Sequence, residues 1–185
     1  MKKVIGLIVM GFGLLSAQSA NPSYPVFIVS DSIVRPNNAT PYSANDVVND
    51  TASANNRLFR FKWALRPNSN SSIVLSSSLE VDSGNTTNGS FRLLLFSDTV
   101  GTAADNAAWT PAYANNANFL GSIDYSLDRN QAAGAGAAMS YVTGLNIPFH
   151  SIEGGRFIWG VLIAKAAYTP KTLGKYRIKL GLLRY

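Results

Sequence analysis

Beyond Pro22 the apolar positions repeat every second residue, which is the period of a half-buried strand. Arg57–Leu65 reads RLFRFKWAL. Its alternation turns Phe59, Phe61, Trp63 and Leu65 to one face, and Arg60, Lys62 and Ala64 to the other. Lys175–Leu183, KYRIKLGLL, repeats the pattern, with Tyr176, Ile178, Leu180 and Leu182 inward and Lys175, Arg177 and Lys179 outward. Phe157–Ala164, FIWGVLIA, and Phe91–Phe96, FRLLLF, are apolar on both faces and predict central strands. Ser72–Val81 adds another strand. Weaker alternation marks Val26–Ser30, Asp46–Val48, Phe119–Asp124 and Met139–Thr143. Eight or nine short strands with turn-rich joints predict an all-β fold, an antiparallel β-sandwich of jelly-roll-like type.

The joints carry turn chemistry. Pro36 and Pro41 bracket Asn37 and Asn38, while Gly84–Asn85 and Asn88–Gly89 mark a hairpin tip. Gly154–Gly155 precedes the Phe157 strand. Val100–Asn118 and Asp128–Ala138 are long connections, and long loops often carry function. Five Asn-x-Ser/Thr triplets, at Asn38, Asn49, Asn70, Asn85 and Asn88, read as Asn-rich turns.

The first twenty residues break the period. MKKVIGLIVMGFGLLSAQSA has two lysines, an apolar run from Val4 to Leu15 and then small residues. That is the shape of a secretory signal peptide, cleavable after Ala17 or Ser19, and it is too short for a stable membrane span. The alternative is a retained assembly arm presenting Val4, Ile5, Leu7, Ile8, Phe12, Leu14 and Leu15. Residues 1–20 are therefore read as a hydrophobic leader, and 21–185 as one β-sandwich domain.

Composition narrows the function. Of 185 residues, 46% are hydrophobic and only 14% charged, so the polar surface is built largely from Ser, Thr and Asn. Such a surface suits a member of an assembly or a secreted domain. The formal net charge is +6, and it falls to +4 if Lys2 and Lys3 leave with the leader. Arg57, Arg60 and Lys62 form one basic cluster; Lys171, Lys175, Arg177 and Lys179 form another. Neither is a run of like charge that marks a nucleic-acid arm, so both read as solvated strand faces and no specific nucleic acid is expected. With no cysteine, the chain has neither disulfides nor thiolate chemistry.

His150 is the one histidine, which excludes a two-histidine metal site or a second histidine in any catalytic group. Its place after Pro148 predicts a loop. Glu80 and Asp82 share a strand face, as paired acids would in glycoside chemistry, or simply as a solvated strand end. Asp124 and Asp128 lack the dense acidic spacing of a calcium loop. No catalytic residue, cofactor or metal is expected. Trp63 and Trp159 read as core. Trp109 and Tyr113, in the loop NAAWTPAY, form a candidate contact platform for a sugar or protein, or else cap the core.

Four stretches carry a resemblance. VSDSIVRPNNATPYSANDVV, at 29–48, has a strand, an Arg-Pro pair, a small polar stretch, an aromatic and an Asn-Asp-Val turn. FRLLLFSDTVGTAADNAAW, at 91–109, has a buried strand followed by a D-N-A-A-W loop. FLGSIDY (119–125) and FIWGVLIAKAAYTP (157–170) are its later strands. Together they resemble bacteriophage virion structural proteins of the head decoration or cement-like β-sandwich kind. The resemblance implies a non-enzymatic virion component whose partners are capsid or other virion proteins, and a homo-oligomer as its working state. The leader departs from that pattern and leaves a rival expectation: a secreted or periplasmic β-sandwich that binds a carbohydrate or a cell-surface partner.

Overall fold

The structure, a computed structural model, describes residues 25–50, 57–65, 71–82, 89–128, 137–150 and 156–185. Among the described residues nine strands follow in chain order: β1 (Val26–Val34), β2 (Phe59–Lys62), β3 (Ser71–Val81), β4 (Ser90–Phe96), β5 (Phe119–Ser126), β6 (Ala138–Val142), β7 (Ile147–His150), β8 (Phe157–Ala164) and β9 (Lys175–Arg184). A short 3-10 helix, Tyr113–Asn118, leads into β5. The leader with its candidate arm residues Val4 to Leu15, the Gly84–Asn88 hairpin tip and the Gly154–Gly155 turn lie outside the described residues.

All pairing is antiparallel, in two sheets. One has the order β1-β9-β3, with β6 and β7 dividing the free edge of β3 between them; the other has the order β2-β8-β4-β5. The logic is that of a long hairpin rolled up. The early strands β1, β2, β3 and β4 pair with the late strands β9, β8, β6/β7 and β5, in reverse order. Rolling then brings β9 beside β3 and β8 beside β4. With β6 and β7 filling one strand position, this is the jelly-roll order, and the expected all-β sandwich is the fold.

The core lies between the sheets. Phe59, Phe61, Phe91, Leu93, Ile158 and Leu162 face it from one side, and Val74, Leu79, Tyr176, Ile178, Leu180 and Leu182 from the other. Ser77 also points inward, displaced by a bulge between Val74 and Ser76. Its hydroxyl meets the Tyr125 hydroxyl and donates to the Lys179 carbonyl at 2.9 Å, so this buried polar group is satisfied. Gly160 lets β8 pass close over this layer: a Cβ there would stand 2.9 Å from Leu93 Cδ1.

A second, smaller core explains why FIWGVLIA is apolar on both faces. Val161 and Ile163 point away from the main core, yet both are buried, with Phe96, under Val47 and Val100. The cover is built from two loops. Residues 46 and 47 bridge to Ala108 and Ile163, and Val48 N–H donates to the Leu162 carbonyl at 2.9 Å. The segment expected as a strand at Asp46–Val48 is thus a pair of isolated bridges, extending the β8 edge beyond the end of β2.

Three further expectations are corrected. Trp63, expected inward with Phe59 and Phe61, is 60% exposed, and β2 ends before it. Its φ of 62° leaves the extended region, so the two-residue alternation fails there: Ala64, expected outward, is buried, while Leu65 is buried as expected. Trp159 is half-buried on the outer face of its sheet and packs on the smaller cluster. His150 ends β7, paired with Ser71, where a loop was expected.

Candidate binding cleft

The edge strand β2 is anchored by Phe59 and Phe61, both fully buried, so Arg60 and Lys62 must point outward. Directly across the ladder stand Trp159 opposite Arg60 and Phe157 opposite Lys62. The two rings are tilted at 53° with centroids 5.9 Å apart. Into the angle between them falls the Arg60 guanidinium, 4.0 Å from the Phe157 centroid and 5.2 Å from that of Trp159. These cation–π contacts position the group without using its N–H donors.

The other wall comes from β1. Asp31 has the inward parity of Val29 and Ile33, but at this edge it faces the backbone of β2. Its carboxylate accepts from the N–H groups of Ser32 and Arg60 and from Arg57 Nη2, each at 2.8 Å. An inward charge of this kind blunts the exposed edges of both sheets where they approach. Arg57 also donates to the Ser32 carbonyl at 3.2 Å and lies 3.9 Å from Asp50. Between these walls opens a cleft of about 440 Å³, lined by Asp31, Arg57, Leu58, Arg60, Lys62 and Trp159. Among the described residues neither Arg60 nor Lys62 has a carboxylate partner. Arg156, over the exposed Trp63 ring at 5.6 Å, extends the cationic edge.

At another place in the fold arginine has the opposite surroundings. Arg35, fully buried, pairs with Asp105 at 2.8 Å. Tyr42 Oη donates to Asp105 Oδ1 at 2.6 Å and the Asn49 N–H donates to the same oxygen at 3.0 Å. The Arg35 guanidinium also reaches the carbonyls of Asn38 and Lys171 and lies 4.6 Å from the Tyr42 centroid. Burial alone would lower the arginine's pKa, but the Asp105 hydrogen bond and the nearby charges raise it, so Arg35 stays charged. Tyr42 is pushed far above its ordinary value by burial and by the adjoining Asp105 charge. Tyr168 stacks on Tyr42, and Phe91 stands edge-on to both Tyr168 and Tyr176. Burial raises the pKa of those two tyrosines as well. No group here is placed to meet a ligand; the cluster is a structural joint.

The Trp109 and Tyr113 pair is split by the fold. Trp109 is half-buried, edge-on to Phe96 at 6.0 Å, with its indole N–H donating to the Gly101 carbonyl at 2.9 Å. It caps the smaller core. Tyr113, on the 3-10 helix, is 89% exposed. The acids are taken up singly: Glu80 by Arg177 and Lys179, Asp124 by Arg92 and Lys165, and the Asp82 carboxylate by the Lys175 N–H. The Arg92 hydrogen bonds hold the Asp124 pKa down at about 2, assisted by Lys165, against a smaller upward push from burial. No three metal-ligating side chains cluster among the described residues. None of the helices among them is long and apolar enough to cross a membrane.

The basic triplet at Arg57–Lys62 is visible in the sequence. Asp31 and Trp159 are not visible as its neighbours, because they come from other strands. No family model matches the chain, and no curated protein matches its sequence.

Proposed function

We propose that this chain is a non-enzymatic structural protein of a bacteriophage virion, a decoration or cement-like component that works through protein–protein contacts in an assembly. The observation that carries the reading is where the resembling stretches meet. Arg35 of the Arg-Pro pair, the aromatic Tyr42, and Asp105 of the D-N-A-A-W loop lie up to seventy positions apart in the chain, and they close on one another in a single buried joint. Around it, Asn45 and Asn106 take left-handed backbone angles of 72° and 61°, which Asn tolerates better than most residues. Their segments then cross-bond: Trp109 N–H to the Asn45 carbonyl, and Asn106 N–H to the Val47 carbonyl. The residues that define the resemblance are the residues that this fold needs together.

Two features agree with the reading. The jelly roll is an architecture that viral capsid domains and lectins use, although a fold by itself assigns no function. On β1, Val26 and Ile28 are 57% and 72% exposed, an apolar edge of the kind that meets neighbours. Repeated weak contacts in a symmetric lattice become durable attachment.

Mass spectrometry of purified particles from a producing culture tests the proposal. Abundant copies of the chain in the particles are the expected result. Its absence from particles, with a mature chain starting near Gln18 or Ala20, would overturn it in favour of a secreted binding domain.

A further inference from the structure

We infer that the cleft between β1 and β2 binds an acidic saccharide, a sugar chain whose rings carry carboxylates. The site does not depend on whether the chain is carried on a particle or secreted. Its cations come first. Arg35, Arg57, Arg92, Lys165, Arg177 and Lys179 each have a carboxylate partner. Arg60 and Lys62 have none among the described residues, although Asp31 lies beside them and lines the same cleft. Asp31 spends itself on Arg57 and on backbone N–H groups. Arg60 is nevertheless held in place, by the faces of Phe157 and Trp159. A guanidinium positioned by aromatic rings keeps its planar N–H fork for a carboxylate, and little side-chain entropy remains to be lost on binding. Lys62, two residues on, sits on the same face, about 7 Å along the strand.

The rest of the lining selects the ligand class. A carboxylate has about four acceptor positions, and three N–H groups occupy those of Asp31, so one remains for a hydroxyl donor. Leu58 and Trp159 supply an apolar wall for the C–H face of a sugar ring. The volume falls within the range of small-molecule sites. Cations, one acceptor and an apolar wall together match a ligand that has carboxylates, hydroxyls and ring faces. A phosphate chain without ring faces fits less well, because it would leave the apolar wall of Leu58 and Trp159 and the remaining Asp31 acceptor unused. A peptide added as a strand fits less well too: the β2 edge is already used, with the Arg60 N–H on Asp31 and the Trp63 carbonyl on Arg184.

The test is calorimetric titration of the full chain with a galacturonic acid trisaccharide at low salt, beside maltotriose, poly-glutamate and a single-stranded oligonucleotide. The expected result is binding of the acidic trisaccharide, with maltotriose at least tenfold weaker. Arg60→Gln should weaken it about tenfold or more, and Arg60→Lys should also weaken it, because the charge remains but the fork is lost. Added salt should weaken it progressively. Unfolding midpoints of both variants should match that of the parent chain, which separates lost binding from lost folding. No binding at about 10 mM trisaccharide would overturn the inference, as would affinity unchanged in Arg60→Gln. Tighter binding of poly-glutamate would overturn it in favour of an acidic protein, and tighter binding of the oligonucleotide in favour of a nucleic acid.

Discussion

Arg35 and Arg60 have the same chemistry and opposite surroundings. Each lies over an aromatic ring, Arg35 at 4.6 Å from Tyr42 and Arg60 at 4.0 Å from Phe157. Arg35 is sealed with a carboxylate that itself takes a hydroxyl and a backbone N–H. Arg60 is open to solvent, and the nearest carboxylate is committed elsewhere. The difference shows what makes an arginine part of a fold or part of a surface. Burial with a complete set of partners makes the ion pair a joint between two loops. Fixation by rings alone leaves the charge available.

The comparison breaks first at Asp105. Asp105→Asn leaves the Arg35 charge buried and uncompensated, at an expected cost of about 3–5 kcal/mol. Tm should fall by roughly 10 °C, read by thermal unfolding. Adding Arg35→Met to that variant should recover part of the loss, because an apolar side chain is cheaper to bury than a lone charge. A double variant less stable than Asp105→Asn alone would mean that Arg35 matters for its carbonyl contacts, not for its charge. Next comes Tyr42→Phe, which removes a hydrogen bond to a charged acceptor and should cost about 2 kcal/mol in urea unfolding. Asp105 would keep Arg35 and the Asn49 N–H.

The exposed pair of Arg92 and Asp124 should show a smaller effect. The folded-state pKa of Asp124, at about 2, lies below its ordinary value. The pair therefore stabilises the fold above roughly pH 4 and loses that contribution as pH falls toward 2. Both side chains are more than 40% exposed, so the amount should be below about 1 kcal/mol and should shrink in salt. Asp124→Asn should remove this part of the acid dependence, measured as unfolding free energy against pH. Smallest of all, Arg60→Gln should change stability by no more than about 0.5 kcal/mol. A larger loss would place Arg60 with Arg35, as a residue of the fold.

Much of the sheet structure was legible in the alternation. Phe157–Ala164 matches β8 at both ends, and Phe91–Phe96 and Ser72–Val81 miss only the first residue of β4 and β3. The failures have physical causes. At Trp63 the alternation continues on paper, but a left-handed φ turns the chain, so a large aromatic lands outside. β7 went unseen because Ile147–His150 is four residues long and includes a proline, which fits an edge strand beside half of β3. Trp159 looked like core because both faces of β8 are apolar. What covers the second face is a pair of loops from elsewhere, and they bury Val161 and Ile163 but leave Trp159 half-exposed.

The site was less legible than the fold. The sequence shows three cations within six residues and two turn motifs seventy residues apart. It does not show which carboxylate serves which cation.

Local pattern by itself determined the strand class and the inward and outward faces of most strands. These depend on neighbours within a few residues, through a side-chain period of two. Tertiary structure decided the pairing order, the second core, the Arg35–Asp105 joint and the open cleft at Arg60. Each of these depends on which distant groups arrive to satisfy a buried charge or cover an apolar face. That is settled by how the long hairpin rolls, because rolling brings β1 against the edge of β2 and the Asp105 loop over Arg35.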